Sequence, residues 1–213
     1  NFGLKKGIQV GNFSTLPTKT GLGSSSTLTV GLIKGLAKIK GNKISKKKLA
    51  ELAFNIERKK LKFDGGWQDQ IICSYGGFQR IKINKKGKFS TNLIKISKKS
   101  LKKLEDHFVL IFTEETRKSK NIIKEQRKNI KNIIKNYDFI KSKVNVIDKA
   151  LKSANIKLIG ETFHEHWIEK KKLTKNITNK KFNKMYSDLM KTDFFYGGKI
   201  IGEGNPEKLS QIT

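Results

Sequence analysis

The sequence predicts an α+β fold, and three observations support that prediction. Apolar residues recur at helical spacing in several segments, and shorter segments alternate in polarity in the manner of strands. The two kinds of segment do not alternate regularly along the chain, which argues against a repeated βα pattern. The pattern divides near residues 97–101, so we expect two domains, residues 1–98 and residues 99–213.

In the first domain we expect a strand, two helices and a β-hairpin. Residues 7–13 alternate and predict the strand. Residues 26–41 predict a helix whose apolar face contains Leu28, Leu32 and Leu36, flanked by Ile33 and Ala37. Ser45 is a suitable N-cap for the second helix. The predicted buried stripe of that helix contains Leu49, Leu52, Ala53 and Ile56.

Glu57 lies at the edge of this stripe, one position beyond Ile56. The glycine pair Gly65 and Gly66 ends the helix. Two alternating segments follow the pair and predict a hairpin that turns at residues 84–87.

In the second domain we expect a buried strand first, over residues 107–113, and then a series of helices. The predicted helices cover residues 117–140, 144–153, 161–173 and 181–190. A late strand with glycines at both ends is expected over residues 197–202.

The chain is strongly basic, with a formal net charge of +29. Dense positive charge favours phosphate binding, yet only four of the cations are arginines, the residue that grips phosphates and bases with two parallel hydrogen bonds. The lysines are scattered along the chain and are not interleaved with aromatic residues. We therefore expect solvated basic faces and no nucleic-acid partner.

Cysteine content and apolar runs bear on the compartment. The single cysteine excludes an internal disulfide, which fits a reducing compartment. No apolar run approaches the roughly 20 residues that span a membrane, and the first residues do not have the pattern of a signal peptide. We expect a cytoplasmic protein without a membrane partner.

A turn rich in glycine and serine, residues 20–26 with the sequence TGLGSSS, precedes the first predicted helix. Backbone N–H groups at a helix N-terminus lack partners and carry partial positive charge, so small residues there allow the chain to wrap around a phosphate. The turn lacks the lysine of a P-loop and the third glycine of a dinucleotide fingerprint. From these residues alone, a phosphate cradle and a simple helix cap both stay open.

The same turn resembles the second motif of the GHMP small-molecule kinases, and later segments extend the similarity. A glutamate on a helix, followed by GGWQDQ and YGGF, resembles the sugar-kinase branch, and so do HEHWIEKKKL and FFYGGKIIGEG in the second half. Within that branch the chain is most similar to the D-glycero-D-manno-heptose 7-phosphate kinase group. The resemblance implies a ribosomal-protein-S5-domain-2-like first domain and a ferredoxin-like second domain.

The resemblance also implies an activity and the residues that perform it. The reaction would move the γ-phosphate of ATP to the anomeric hydroxyl of a sugar phosphate such as D-glycero-D-manno-heptose 7-phosphate. By resemblance, Asp69 accepts or orients the proton of that hydroxyl, and Arg117 contacts the sugar phosphate. Ser25 and Glu57 ligate Mg²⁺. The ATP phosphates are held by the backbone of Thr20, Gly21, Leu22, Gly23, Ser24, Ser25 and Ser26.

Each of these residues also has a purely structural interpretation. Glu57 fits an exposed carboxylate paired with Arg58 or Lys60. Asp69 fits a turn residue after the glycine pair, and Arg117 fits a surface cation.

Members of this family begin with a strand and a glycine-rich first motif, and their C-terminal motif continues with more glycines and an apolar strand. The sequence has neither feature, so we expect both domains to be incomplete. Two alternative functions stay open, a partial kinase that at most binds nucleotide and a basic nucleic-acid-binding module. The oligomeric state also stays open, with a homodimer among the expectations.

Overall fold

The computed structural model describes residues 7–15, 21–111, 130–174 and 177–201. The described residues fall into two compact units, one that runs to Leu93 and one that spans Ile94–Ile201. Helices and one small antiparallel sheet make up the regular structure of these residues. The predicted α+β class is therefore confirmed.

The described part of the first unit contains the helices α1 (Ser24–Ile39), α2 (Lys46–Phe54) and α3 (Gln68–Tyr75). α2 continues without a break into a π-helical segment, Asn55–Lys60. Ser45 caps α2 as predicted, because its side chain accepts a hydrogen bond from the Lys48 amide at 3.2 Å. The short helix α3 was not predicted, since so few residues after a glycine pair show no clear periodicity.

The buried face of α1 differs from the predicted leucine face. Leu28 is 40% exposed, and the buried residues of the helix are Ser26, Val30, Ile33 and Ala37. Val30 and Ile33 pack against Leu49 and Ala53 of α2. The small side chains at both ends of this face let α1 lie close to its neighbours, and Ser26 thereby becomes an interior residue.

The predicted hairpin is confirmed. Strand β1 (Gln79–Ile83) pairs antiparallel with strand β2 (Phe89–Leu93). The Asn84 side chain closes the turn by accepting hydrogen bonds from the amides of Lys86 at 3.0 Å and Lys88 at 2.9 Å. Phe89 packs with buried residues of α2 and α3, so the hairpin covers these two helices.

The described part of the second unit contains α4 (Lys98–His107), α5 (Ile130–Ser142), α6 (Val144–Ser153), α7 (Ile156–Lys171) and α8 (Lys180–Leu189). α6 has its predicted bounds, and α8 differs by one residue at each end. α7 begins earlier than predicted because the Asn155 side chain caps it, accepting from the Leu158 amide at 3.1 Å. The helix α4, which Ser97 caps, was not predicted.

Two apolar clusters hold the second unit together. One joins Leu104 of α4 to Leu151 of α6 and Ile159 of α7. The other surrounds the fully buried Trp167 and includes Phe182 and Tyr186 of α8. None of the helices in the described ranges combines the length and the hydropathy that a membrane span needs.

Two predicted strands, at residues 7–13 and 107–113, are wrong in their described parts. Residues 7–13 and 108–111 form no strand with any of the described residues, and Phe13 and Val109 are 95% and 80% exposed. Alternating polarity indicates a strand only where a second strand accepts the backbone hydrogen bonds, and β1–β2 is the one ladder among the described residues. Residues 112 and 113 lie outside the described ranges.

The predicted strand at residues 197–202 is also wrong for residues 197–201, which cross α7 as irregular chain. Gly197 has a φ of 142°, and a Cβ at this position would lie 2.3 Å from the Gly160 carbonyl oxygen. The Tyr186 hydroxyl donates to the Gly198 carbonyl at 3.2 Å and accepts from the Gly198 amide at 3.3 Å. His164 Nδ1 lies 2.8 Å from the same hydroxyl. A side chain therefore binds the backbone groups that a neighbouring strand would otherwise have paired.

Candidate active site

A buried carboxylate is the centre of a polar cluster in the first unit. Glu57, in the π-helical segment, is 1% exposed. Its Oε1 accepts hydrogen bonds from Ser25 Oγ and Thr29 Oγ1, each at 3.0 Å, and its Oε2 accepts from Ser26 Oγ at 2.8 Å. A charged group tolerates burial when several donors replace its water. The three hydroxyls therefore tie the start of α1 to the π-helical segment.

The π-helical turn explains why Glu57 points inward. Residue spacing predicts Ile56 in the buried stripe and Glu57 at its edge, yet Ile56 is only partly buried. The Leu61 amide donates to the Ile56 carbonyl at 2.9 Å, a step of five residues that widens the turn. The extra residue in the turn rotates the chain about its axis. This rotation directs the Glu57 side chain toward α1.

Gln70 completes the cluster from α3. Its side chain is fully buried, and Nε2 donates to Ser26 Oγ at 3.1 Å and also to Oε2 of Glu57. Gln70 and Thr29 were not predicted from the sequence. A signal for Thr29 was present, because it follows Ser25 by four residues and therefore shares its helix face. No comparable signal existed for Gln70, which belongs to a helix that was not predicted.

Asp69 precedes Gln70 on α3 and faces the start of α1. A Cβ placed on Gly23 would lie 3.8 Å from both Cβ and Cγ of Asp69. Burial raises the pKa of Asp69, the positive charge of Arg58 lowers it, and the negative charge of Glu57 raises it. The two carboxylates therefore lie close enough to influence each other's charge beside the α1 N-terminus.

Arg58 holds the turn that connects the π-helical segment to α3. Its Nε and Nη2 both donate to the Gly66 carbonyl at 3.3 Å, and Nη2 lies 3.9 Å from Glu57 Oε2. A Cβ on Gly65 would lie 2.7 Å from Arg58 Nη2, and Gly65 has a φ of 144°. The first glycine of the pair is therefore needed because the guanidinium group approaches the backbone so closely.

The glycine–serine turn leads directly into α1. Gly21 and Gly23 have φ values of 76° and 74°, in the left-handed region that favours glycine. Gly23 is the N-cap residue, and no side chain caps the helix. Ser24, Ser25 and Ser26 lie inside the first turn, so the interpretation of these serines as a simple cap is wrong. The first backbone amides of α1 thus have the arrangement that binds anions at helix N-termini.

Ser25 and Glu57 together offer ligands for a hard cation. The Ser25 hydroxyl gives its hydrogen to Glu57, which leaves oxygen lone pairs for a further ligand. Over the described ranges, no group of three His, Cys, Asp or Glu side chains is arranged to hold a metal ion. Mg²⁺ does not require such a group, because it keeps several waters and takes only one or two carboxylates together with phosphate oxygens. The residues present therefore fit Mg²⁺.

Comparison with known proteins bears on the first unit. Residues 1–77 match the family described as the GHMP kinases N terminal domain. The N-terminal part of the chain is thus similar to the GHMP kinases. Over 194 residues, the chain is 29% identical to D-glycero-alpha-D-manno-heptose 7-phosphate kinase from Campylobacter jejuni, and the alignment covers 90% of the chain and 57% of that protein.

Solved kinase structures share the fold of the chain. A D-glycero-D-manno-heptose 1-phosphate kinase from Bacteroides thetaiotaomicron superimposes with a TM-score of 0.71 at 24% identity, covering 90% of the chain and 53% of that protein. A mevalonate kinase superimposes with a TM-score of 0.60 at 25% identity, covering 90% of the chain and 57% of that protein. The chain thus spans little more than half the length of each of these relatives.

The structure brings together most of the residues that the GHMP kinase resemblance selected. Ser25, Ser26, Glu57 and Asp69 meet at the N-terminal end of α1, where Gly23 begins the helix. Gly21, Leu22 and Ser24 lie in the same turn with exposed side chains or backbone. Thr20 and Arg117 lie outside the described residues. The exposed position considered for Glu57 is wrong, because the carboxylate is buried among hydroxyl and amide donors. The ion pair with Arg58 considered beside it is present, with Nη2 3.9 Å from Oε2.

Proposed function

We propose that the protein is an ATP-dependent sugar kinase of the GHMP type. It transfers the γ-phosphate of ATP to the anomeric hydroxyl of a sugar phosphate such as D-glycero-D-manno-heptose 7-phosphate. One observation carries the proposal: Glu57 and Asp69 approach the same helix N-terminus, which is formed by the glycine–serine turn. The names of the similar heptose phosphate kinases support the choice of sugar.

The ATP phosphates would bind at the start of α1. Glycines with positive φ let the backbone curve around a phosphate, and the uncapped amides of the first turn point toward it. The partial positive charge of the helix N-terminus adds to the attraction. We assign this cradle to the backbone of residues 20–26.

Ser25 and Glu57 would hold Mg²⁺, which neutralises charge on the transferred phosphoryl group. The carboxylate supplies a negative oxygen, and the Ser25 hydroxyl supplies lone pairs beside it. Thr29 and Ser26 keep the carboxylate in place through their hydrogen bonds.

Asp69 would receive or orient the proton of the sugar hydroxyl. Its raised pKa brings the carboxylate closer to the basicity that proton transfer near neutral pH requires. Arg58 limits this increase in the pKa of Asp69 through its positive charge. Arg117, outside the described residues, is proposed to bind the phosphate of the sugar.

The proposal extends to the organisation of the chain. Residues 1–98 and 99–213 would correspond to parts of the S5-like N-terminal domain and the ferredoxin-like C-terminal domain of the GHMP kinases. We place the enzyme in the cytoplasm, with ATP and a sugar phosphate as its small-molecule partners and a homodimer as the assembly to test.

A coupled assay of ATP consumption over a panel of sugar phosphates tests the proposal. We expect turnover with a heptose 7-phosphate, and a loss of about 10²–10⁴-fold in Asp69→Asn with retained ATP affinity. No turnover with any sugar, or an unchanged rate in Asp69→Asn, would contradict the kinase assignment. ATP binding without transfer would leave only the nucleotide-binding alternative.

A further inference from the structure

We infer that Gln70 is a positioning residue, which fixes the orientation in which Glu57 meets a divalent cation. The inference rests on the proposed kinase function and deepens it. It concerns a side chain that acts through Glu57, since Gln70 itself is fully buried.

The two oxygens of Glu57 have different surroundings. Oε1 accepts from Ser25, which is exposed, and from Thr29, which is half-buried. Oε2 accepts from Ser26 and Gln70, both of which are buried. The carboxylate therefore has an outer oxygen next to the exposed Ser25 and an inner oxygen held by interior donors. Because the carboxylate is planar and rigid, fixing the inner oxygen also fixes the direction of the outer one.

Gln70 is suited to this task because its amide donates without adding charge. A lysine in its place would neutralise the carboxylate and weaken its attraction for a cation. Gln70 Nε2 also donates to Ser26 Oγ at 3.1 Å. The amide group of Gln70 therefore contacts both the inner oxygen of Glu57 and the other donor to that oxygen, Ser26. Ligand affinity at metal sites depends on such outer partners of the ligating groups.

The surroundings of the oxygen atom of the Gln70 amide support the inference. Among the residues that the structure describes, none donates a hydrogen bond to the buried Gln70 Oε1. A buried acceptor in that state is unfavourable, and native proteins rarely keep one without a compensating role. The orientation that directs Nε2 to Glu57 turns Oε1 away from the donors of the cluster, so the amide is oriented by the carboxylate rather than by a partner of its own oxygen.

The test compares Gln70→Leu and Gln70→Met, which keep most of the side-chain volume but cannot donate, with the control Gln68→Leu. Gln68 lies on the same helix and is exposed. Two quantities are measured for each protein: the affinity for Mn²⁺ in the presence of ATP, by electron paramagnetic resonance, and the affinity for ATP without metal. Circular dichroism checks the fold.

We expect both Gln70 variants to bind Mn²⁺ about 10–100-fold more weakly than the wild type, while metal-free ATP affinity stays unchanged. The KM for Mg²⁺ should rise by a similar factor, and the control should match the wild type in every measurement. A general loss of structure would instead weaken ATP binding as well.

Three results overturn the inference, and they can be told apart. Wild-type Mn²⁺ affinity in folded Gln70→Leu overturns it and leaves the kinase proposal intact. Failure of both Gln70 variants to fold assigns the residue a structural role instead. If the wild-type chain binds neither Mn²⁺ nor ATP, the proposed function fails and the inference fails with it.

Discussion

Gly23 and Asp69 lie against each other where α1 begins: a Cβ added to Gly23 would come 3.8 Å from the Cβ and Cγ of Asp69. The contact joins the N-terminus of one helix to the first turn of another, although the two residues are far apart in sequence. A phosphate at the α1 N-terminus and a hydroxyl beside Asp69 would therefore be neighbours.

The substitution Gly23→Ala should lower the free energy of unfolding by about 1–2 kcal/mol, because an alanine must then adopt a left-handed backbone conformation. The added methyl group also contacts Asp69, so we expect weaker ATP binding as well. Urea denaturation and an ATP titration measure the two effects.

Gly35→Ala provides the matched control. Gly35 lies within α1, and apart from the adjacent residues and backbone of the same helix no described atom is within 4 Å of the position where its Cβ would be. Alanine should therefore stabilise the helix by about 0.5–1 kcal/mol and leave ATP affinity unchanged. Equal changes in the free energy of unfolding and in ATP affinity for Gly23→Ala and Gly35→Ala would contradict the need for a left-handed glycine at position 23.

Asp69→Asn should be more stable than the wild type at pH 7, although it loses activity. Folding raises the pKa of Asp69, chiefly by burial, so the folded state favours the protonated form. The stability that Asp69 contributes is complete below its unfolded pKa and is lost as the pH rises through the folded pKa. Denaturation curves should therefore separate the two proteins at neutral pH and bring them together below about pH 4.

Glu57→Gln should lower the free energy of unfolding by about 1–3 kcal/mol. The new amide NH₂ group would face hydroxyl or amide donors, whichever oxygen it replaces. Urea denaturation measures the loss, and Mg²⁺-dependent ATP binding should weaken in the same variant.

Glu51→Gln is the control for this change, because Glu51 lies earlier on α2 and is only partly buried. We expect its stability to stay within about 0.5 kcal/mol of the wild type. A stable Glu57→Gln variant with normal Mg²⁺ dependence would count against the assignment of Glu57 as a cation ligand.

In the second unit, Tyr186→Phe should lower the free energy of unfolding by about 1–3 kcal/mol, because the backbone N–H and C=O of Gly198 both lose their partner. Tyr196→Phe removes the hydroxyl of an exposed tyrosine and should change stability by less than about 0.5 kcal/mol. Thermal unfolding of both variants tests whether the Tyr186 hydroxyl holds residues 197–201 against α7.

Local signals in the sequence predicted the elements that depend on local interactions. Ser45 caps a helix and residues 84–87 form a hairpin turn, because both structures are built from side chains and backbone groups a few residues apart. The strands expected at residues 7–13 and 107–113 depend on a distant partner for their backbone, which no local pattern reports. α1 likewise buries Ile33 and Ala37, expected beside the leucines, more fully than Leu28, because the neighbouring helix selects the face.

The candidate site shows the same division between local and distant information. Motif resemblance pointed to Ser25, Glu57 and Asp69, and the structure places them around one helix end. Gln70 was not predicted, because its role depends on its hydrogen bond to Glu57 across the interior and not on a local pattern. The full burial of Glu57 was missed as well, since an ordinary helical repeat does not describe a widened turn.

The widened turn at Asn55–Lys60 also limits how this stretch can vary in length. An ordinary helix advances by about 100° with each residue, so deleting Asn55 or Ile56 would swing the Glu57 carboxylate about a quarter of a revolution away from α1. Substitutions at Lys59 or Lys60, which are exposed, would leave its direction intact. Gaps in alignments of related chains should therefore avoid this stretch even where its residue types differ.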